Sequence, residues 1–348
     1  MVKKISLISL SSGLMGESFV THEFEQGMKR LKEYGYEVQC TPNAMKGERY
    51  LDEHPEKRAQ DWLEAYRDPQ TDMILCAIGG DDTYRLLPYL FDHNELQEVL
   101  SDKIFLGFSD TTVNHLMLHK LGMRSYYGQA FLPDVCELSN EMLPYTRHYF
   151  EELTRTGRIS EIRPSEFWYE EREDFGPEAV GTERVRHPDH GFELLQGKPV
   201  FSGKILGGCI ESMCDLLDPE KPKYQKAEEF NRKYELFPSL DDWKDRILLL
   251  ETSEEQPDPE YYRKMVRSLK HYGLFDVISG VICGKPMDEK YSDEYKKILS
   301  EEIGNSALPV VWNINVGHAT PRCIIPLGVP ATVDTLAQVI TFHYEDEQ

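Results

Sequence analysis

Short apolar runs alternate with stretches of helical periodicity, and this alternation constrains the fold of the chain more than any other feature. The spacing predicts a strand at residues 5–10, a helix at 21–34 and a second strand at 36–40. A helix at 57–66 and a strand at 73–78 continue the pattern. Strands that alternate with helices indicate a parallel sheet covered on both faces, which places ligands at the carboxyl ends of the strands.

The length of the chain predicts two domains, because 348 residues exceed what one hydrophobic core usually organises. Sustained apolar periodicity disappears between residues 163 and 200, where charges, prolines and aromatic residues are concentrated. We therefore expect an N-terminal α/β domain with a Rossmann-like or flavodoxin-like parallel sheet over residues 1–162. A connector with an aromatic and acidic loop follows over 163–200, and residues 201–348 are expected to form a C-terminal α/β domain with a mostly β core.

Composition excludes several classes of partner. The formal net charge is -22, whereas binding of a nucleic-acid polymer would need a basic surface. The sequence contains no apolar stretch near the roughly 20 residues needed to span a bilayer, so no membrane partner is expected. The seven cysteines are scattered and odd in number. This is typical of reduced, buried thiols and predicts a cytoplasmic protein.

A serine lies where a predicted buried strand ends. The apolar run at 104–106 breaks at Gly107, and helical periodicity begins shortly after Ser109. At such a bend the Ser109 hydroxyl would project from the carboxyl end of a sheet, and the Asp110 amide would point into the same space from a helix N-terminus. This geometry suits an activated nucleophile with half of an oxyanion hole. The alternative is that Ser109 and Asp110 only cap the helix, since both residue types are preferred at N-caps.

Two further strand ends carry isolated polar side chains. Glu251 follows the predicted strand at 246–250, and His318 follows the apolar segment that begins at Pro309. Together, Ser109, His318 and Glu251 could supply a nucleophile, a base and a group that orients the base. Histidine can take the serine proton, and a carboxylate can stabilise the imidazolium that results. Taken singly, Glu251 could be a solvated residue of an acidic loop and His318 an ordinary loop histidine.

A glycine pair is a second candidate for stabilising an oxyanion. Gly79 and Gly80 let the backbone approach a ligand closely. The amide of Gly80 or of Asp81 could then act together with that of Asp110, and we choose Gly80. The same turn resembles the Gly-Gly-Asp-Gly-Thr turn of NAD kinases and lipid kinases. Asp82 replaces the glycine that lets phosphate approach, which disfavours a kinase.

No metal or cofactor is expected. His115 and His119 lie four residues apart on the helix after the serine, but the residues between them lack the glutamate of the zinc-protease motif and no third ligand is evident. Cys209 and Cys214 have no second cysteine pair at zinc-site spacing, so we interpret them as core residues.

At these positions the chain closely resembles the LD-carboxypeptidase family of serine peptidases, including its branch of microcin C immunity proteins. The matching segments follow the order of that family over nearly the whole chain: Ala77-Ile78-Gly79-Gly80-Asp81-Asp82, Gly107-Phe108-Ser109-Asp110-Thr111-Thr112, Tyr127-Gly128-Gln129-Ala130, Gly203-Lys204-Ile205-Leu206-Gly207-Gly208, Leu249-Leu250-Glu251 and Gly317-His318-Ala319-Thr320-Pro321. The resemblance implies that Ser109 is the nucleophile, His318 the general base and Glu251 its carboxylate partner. It also implies that Gly80 and Asp110 are the oxyanion donors, that the C-terminal domain supplies the glutamate and the histidine, and that the protein is a homodimer.

The resemblance leaves the substrate open between two branches. Murein-recycling members release a terminal D-alanine, whereas immunity proteins cut an amide that joins an aspartyl group to a nucleotide-like moiety. The aromatic segment resembles the extended loop of the immunity branch, so we expect a peptidyl or aminoacyl-nucleotide conjugate as substrate, with murein LD-carboxypeptidase activity as the alternative. Trp168 is expected to stack on a base and Asp81 to contact substrate, although Trp168 could instead pack between domains or at a dimer contact. A non-catalytic binding protein on the same scaffold is the alternative of another class.

Overall fold

The chain forms two large β-sheets and one two-stranded sheet, in a computed structural model that describes residues 1–219 and 224–344. The strands are β1 (Lys4–Ile8), β2 (Glu37–Cys40), β3 (Met73–Cys76), β4 (Ile104–Gly107), β5 (Ser125–Tyr127), β6 (Glu161–Ile162), β7 (Phe167–Tyr169), β8 (Arg186–Pro188), β9 (Glu193–Gln196), β10 (Val200–Cys209), β11 (Ile247–Glu251), β12 (Gly280–Gly284), β13 (Val310–Ile314), β14 (Ile325–Leu327), β15 (Pro330–Asp334) and β16 (Val339–Phe342). The α-helices are α1 (Thr21–Glu33), α2 (Glu48–Glu53), α3 (Pro55–Arg67), α4 (Leu87–Phe91), α5 (Glu95–Val99), α6 (Thr112–Lys120), α7 (Pro144–Thr156), α8 (Ile210–Leu217), α9 (Gln225–Tyr234), α10 (Leu240–Trp243), α11 (Pro259–Tyr272) and α12 (Ser292–Ile303).

The first sheet has the parallel strands that the alternation of strands and helices predicts. Its order is β14-β5-β4-β3-β1-β2, and the pairs among β1 to β5 are parallel. The order 2-1-3-4-5 is that of flavodoxin-like folds, in which ligands bind where the strand order reverses, between β1 and β3. Every residue of β1 and β3 is buried, as expected for strands covered on both faces. The predicted fold of the N-terminal part is confirmed.

The second sheet is mixed, with a parallel centre. Its order is β6-β16-β15-β10-β11-β12-β13-β9, and the strands from β10 to β13 are parallel. The long strand β10 pairs in antiparallel fashion with β15 through its first half and in parallel with β11 through its second half. Helices α11 and α12 connect the central strands, so this part is α/β with a mostly β centre, as predicted.

Each of the two large sheets contains a short strand from the other predicted domain. The short strand β6 pairs with β16 of the second sheet, and β14 pairs with β5 of the first. The segment at 163–200, which lacks apolar periodicity, forms the antiparallel pair β7 and β8 and the edge strand β9. The chain thus passes between the sheets more than once, and the division at residues 162 and 200 stays a prediction.

Apolar packing joins the two sheets. One buried cluster contains both Phe105 of β4 and Leu248 of β11, together with Leu116 of α6 and Met213 of α8. The carboxyl ends of both parallel regions are therefore held close together.

Within the described residues, no helix has the length and apolarity that crossing a membrane requires. The seven cysteines, all at described positions, are free thiols.

Candidate active site

Ser109 lies on a tight turn between β4 and α6. Its backbone φ is +66°, a left-handed conformation that is strained for a residue with a side chain. Thr112 Oγ1 donates to the Ser109 carbonyl at 2.7 Å, and Thr111 Oγ1 donates to the Phe108 carbonyl at 2.7 Å. These bonds hold the strained turn in place, and the neighbouring sheet strands fix its position at the carboxyl edge.

Side chains from three separate strand ends meet at this turn. His318 Nε2 lies 3.0 Å from Ser109 Oγ, and His318 Nδ1 donates to Glu251 Oε2 at 2.7 Å. Glu251 is the last residue of β11 and is 2 % exposed. Gly317 leaves room for its carboxylate, because a Cβ on Gly317 would lie 2.4 Å from Glu251 Oε2. The structure thus brings the three predicted side chains together in hydrogen-bonded order, and their catalytic roles stay a prediction.

Tyr127 connects the serine turn to Glu251, a contact that sequence reasoning missed. The Ser109 amide donates to Tyr127 Oη at 3.1 Å, and Tyr127 Oη donates to Glu251 Oε1 at 2.5 Å. Burial and the neighbouring Glu251 raise the pKa of Tyr127 well above its usual value, so the phenol stays protonated and remains a donor. The position of Tyr127 in the sequence could have indicated this contact. Tyr127 ends β5, which pairs in parallel with β4, and neighbouring parallel strands end at the same edge of a sheet.

The Asp110 side chain ties the serine turn to the glycine turn. Its Oδ2 accepts hydrogen bonds from Ser11 Oγ at 2.6 Å and from the Thr83 amide at 2.9 Å. The N-cap residue of α6 is Thr111, so Asp110 and Ser109 do not have the simple capping role considered as an alternative. Burial raises the pKa of Asp110 to about 6.

The glycine turn packs directly against the serine. A Cβ on Gly79 would lie 2.6 Å from Ser109 Oγ and 3.3 Å from the Asp110 amide nitrogen, so glycine keeps this space open. Gly80 lines the same cavity as Ser109. The predicted donor roles of the Gly80 and Asp110 amides stay a prediction. Asp82, which stands where the kinase turn has glycine, accepts hydrogen bonds from Arg58 and Arg85, so its carboxylate anchors the turn.

A second carboxylate contacts the histidine. Glu254 Oε2 lies 3.0 Å from His318 Nε2. Burial would lower the pKa of His318, but Glu251 and Glu254 outweigh it and raise this pKa to about 10. The hydrogen bond to His318 in turn lowers the pKa of Glu254 to about 2. Sequence reasoning missed this contact, because Glu254 lies in a strongly acidic loop that would otherwise be solvated.

Arg322 holds the backbone of the histidine loop. Its Nη2 donates to the His318 carbonyl at 2.8 Å, and its Nη1 forms an ion pair with Asp134 at 3.1 Å. Asp134 lies shortly after β5 of the first sheet. The loop that carries the histidine is therefore tied to the sheet that carries the serine.

These residues open into a cavity of about 780 Å³. Acidic side chains line it at seven positions: Glu23, Glu48, Asp81, Glu137, Glu171, Glu254 and Glu255. The arginines that line it are ion-paired, Arg172 and Arg184 with Glu137 and Arg322 with Asp134. The aromatic rings of Phe19 and Phe175 also line the cavity and are largely exposed. The cavity therefore combines carboxylates with accessible aromatic surface.

The two predicted substrate contacts differ in position. Asp81 lines the cavity. Trp168 lies outside its lining: the Trp168 ring stacks on His187 with centroids 4.5 Å apart, and Lys285 Nζ lies 5.4 Å from the ring. The aromatic residue that the 163–200 segment contributes to the cavity is Phe175. The path of this segment decides which aromatic ring reaches the cavity. Sequence periodicity does not specify that path.

Of the two histidines of α6, His115 is a core residue, whereas His119 is only partly buried. His115 is buried, with Nδ1 2.7 Å from Ser125 Oγ and Nε2 3.1 Å from the Gly107 carbonyl. Both ring nitrogens are thus used within the fold. Across residues 1–219 and 224–344, no group of three or more potential metal ligands converges.

Comparison with known proteins identifies the family of this chain. Two family models match it, the LD-carboxypeptidase N-terminal domain at residues 5–128 and the LD-carboxypeptidase C-terminal domain at residues 202–333. A solved structure of an MccF-like protein from Streptococcus pneumoniae in complex with AMP is 57% identical, covers 99% of both chains and has a TM-score of 0.97. The microcin C7 self-immunity protein MccF of Escherichia coli is 22% identical over 90% of this chain and 86% of that protein. A probable murein peptide carboxypeptidase of Bacillus subtilis is 23% identical over 88% of this chain and 82% of that protein. Because the two models together match most of the chain, it belongs to the LD-carboxypeptidase family and is a serine-type carboxypeptidase.

Proposed function

We propose that this protein is a serine amidohydrolase that cleaves the amide bond of a peptidyl or aminoacyl-nucleotide conjugate, like the microcin C immunity branch of its family. The observation that carries the proposed reaction is the continuous line of contacts from Glu251 through His318 to Ser109, at 2.7 and 3.0 Å. Support for a nucleotide conjugate comes from the 57% identical MccF-like protein, whose structure contains AMP.

In the proposed reaction, Ser109 attacks the scissile carbonyl while His318 takes its proton at Nε2. Glu251 stabilises the imidazolium from the Nδ1 side. The amides of Gly80 and Asp110 stabilise the oxyanion, each donor contributing about 3 kcal/mol. His318 then returns the proton to the leaving amine, and water hydrolyses the acyl-enzyme by the same route.

The cavity suits a ligand of this size and chemistry. Its volume of about 780 Å³ lies within the usual range for small-molecule sites. Exposed rings at Phe19 and Phe175 offer surfaces for a base, and stacking of a base on an aromatic ring is worth about 1–3 kcal/mol. Asp81, next to Gly80, would contact an amino group of the acyl part.

Several finer expectations belong to the proposal. The predicted domains at 1–162 and 201–348 would supply the nucleophile and the Glu251–His318 pair respectively, so their packing would control competence. Free thiols at all seven cysteines are typical of a reducing compartment, and we place the reaction in the cytoplasm. The family resemblance implies a homodimer.

Product analysis by mass spectrometry tests the proposal. The purified protein is incubated with aspartyl sulfamoyl-adenosine and, separately, with an L,D-linked murein tetrapeptide. Ser109→Ala is compared with wild type, and Ser202→Ala, which changes an exposed serine of β10, is the matched control. We expect release of aspartate from the nucleoside conjugate by wild type and Ser202→Ala, and loss of turnover with an unchanged circular-dichroism spectrum in Ser109→Ala.

The two substrates separate the alternatives. Release of D-alanine only, dependent on Ser109, would identify a murein LD-carboxypeptidase and contradict the proposed substrate. Full activity in Ser109→Ala would contradict the mechanism. Ligand binding without turnover of either compound would favour a binding protein on the same scaffold.

A further inference from the structure

Glu23, in the first turn of α1, is a nearly buried carboxylate in the lining of the cavity. It is 9% exposed and lines the cavity together with Phe19 and Val20, which precede it in the chain. Within the part of the chain that the structure describes, its carboxylate makes no hydrogen bond and no ion pair. Buried carboxylates normally accept hydrogen bonds or face a cation. Glu23 therefore has an unused capacity to bind a ligand.

The other acidic side chains of the lining differ from Glu23 in this respect. Each of these six residues has a partner: Glu48, Asp81, Glu137, Glu171, Glu254 and Glu255. Arg172 pairs with Glu137, and Arg184 pairs with both Glu137 and Glu171, at 2.6 to 3.0 Å. The charges of these two arginines and two glutamates cancel, whereas the charge of Glu23 is left uncompensated by an ion pair.

No cationic side chain at a described position contacts Glu23. Arg30 lies seven residues further along α1, which is about 10 Å along the helix axis, and it donates to backbone carbonyls of the segment at 135–139. His22 Nε2 lies 2.8 Å from the Phe175 carbonyl, which can only accept, so this nitrogen donates there. The N-terminus of α1 favours a negative charge through the helix dipole. It leaves the carboxylate oxygens of Glu23 without a donor.

The electrostatic surroundings of Glu23 favour a cation. Burial raises the pKa of Glu23 above its ordinary value, while His22 lowers this pKa and Glu137 raises it. In turn, Glu23 adds to the effect of burial in raising the pKa of the Cys136 thiol. A positive charge at hydrogen-bond distance would stabilise the ionised carboxylate and offset the cost of its burial.

On the basis of the proposed function, in which this cavity holds the substrate, we infer that Glu23 is a binding subsite for a primary ammonium group of the substrate. An ammonium group supplies both the charge and the N–H donors that the carboxylate lacks. The rings of Phe19 and Phe175 in the same lining also attract a cation. Glu23 lies on α1 and not at the strand ends that carry Ser109 and His318. The subsite therefore leaves a carboxylate or phosphate near the scissile bond acceptable.

Two compounds of matched shape test the subsite, 2-phenylethylammonium and 2-phenylethanol, which differ in having an ammonium or a hydroxyl group. Their binding is measured by NMR titration of wild type and of Glu23→Gln, which keeps the side-chain shape and removes the charge. Glu48→Gln is the matched control, because Glu48 is also an acidic lining residue but accepts from Ser12. The denaturation midpoint of each protein is the second readout.

We expect wild type to bind the ammonium compound at least tenfold more tightly than the alcohol, as a charge-assisted hydrogen bond should produce. Glu23→Gln should lose this preference and Glu48→Gln should keep it. The denaturation midpoint of Glu23→Gln should equal or exceed that of wild type, because no partner is lost.

Three results would overturn the inference: no preference in wild type, a preference that persists in Glu23→Gln, or a lowered midpoint or loss of folding in Glu23→Gln, which would give Glu23 a structural role instead. Failure of wild type to cleave any substrate would count against the proposed function alone, because the binding titration needs no turnover.

Discussion

Replacement of Tyr127 by phenylalanine removes a single oxygen that links the serine turn to Glu251. That oxygen accepts from the Ser109 amide and donates to the Glu251 carboxylate, and the residue is 0% exposed. Losing a hydrogen bond to a charged group costs about 1.5–3 kcal/mol, and an unsatisfied buried amide adds about 1 kcal/mol or more. We therefore expect Tyr127→Phe to lower the free energy of unfolding by about 3 kcal/mol. We also expect turnover to fall on the order of 100-fold, the effect of misplacing a reacting group by about 1 Å.

The neighbouring residue provides a matched control. Tyr126 precedes Tyr127 on β5 and points to the opposite face of the sheet, where its hydroxyl donates to the Gly157 carbonyl at 2.7 Å. Tyr126→Phe should cost about 1 kcal/mol and leave turnover unchanged. Chemical denaturation measures the free energies, and the rate of labelling by a fluorophosphonate measures the reactivity of Ser109 without a known substrate. Equal stability loss and equal labelling rates in the two variants would refute the linking role of Tyr127.

Two further substitutions test the turn that surrounds the serine. Gly79→Ala should abolish turnover while the protein stays folded, because the added Cβ would lie 2.5 Å from Ser109 Cβ; wild-type turnover in a folded Gly79→Ala protein would contradict the close packing. Burial raises the pKa of Asp110 from its ordinary 3.8 to about 6, so the stabilisation from its bound proton is fully present below about pH 4 and is lost as the pH rises through 6. Asp110→Asn should therefore gain stability relative to wild type between pH 4 and 6, measured by denaturation at a series of pH values, whereas a difference independent of pH would refute the assigned titration.

Most of the framework of the site could be predicted from the sequence. Apolar runs that end in a single polar residue identified Ser109, Glu251 and His318, because the carboxyl ends of parallel strands gather at one edge of a sheet. The structure places all three within hydrogen-bond distance in order. The Gly79–Gly80 turn was likewise visible as a break between strand and helix, and it packs against the serine.

Residues outside these strand ends could not be placed from the sequence. Glu254 belongs to an acidic loop whose composition indicates solvent exposure, yet its carboxylate reaches His318. Trp168 is the predicted aromatic contact of the 163–200 segment; the pairing of β7 with β8 stacks it on His187, outside the cavity lining, and its contact with a substrate stays a prediction. Side-chain direction in a segment without apolar periodicity depends on contacts with distant parts of the chain.

The sequence by itself determined the alternation of strands and helices, the buried character of the strands and the polar residues at their ends, because each depends on local periodicity and on turn residues. The tertiary structure decided which strands pair, so that β14 joins the first sheet and β6 the second. It also decided that one phenol, Tyr127, bonds to residues of both sheets and that Glu254 contacts the histidine. These contacts join residues 18 to 124 positions apart. The Tyr127–Glu251 contact forms only when the two sheets pack against each other, and the other two join the ends of different strands within one sheet, so no local pattern in the sequence could have specified them.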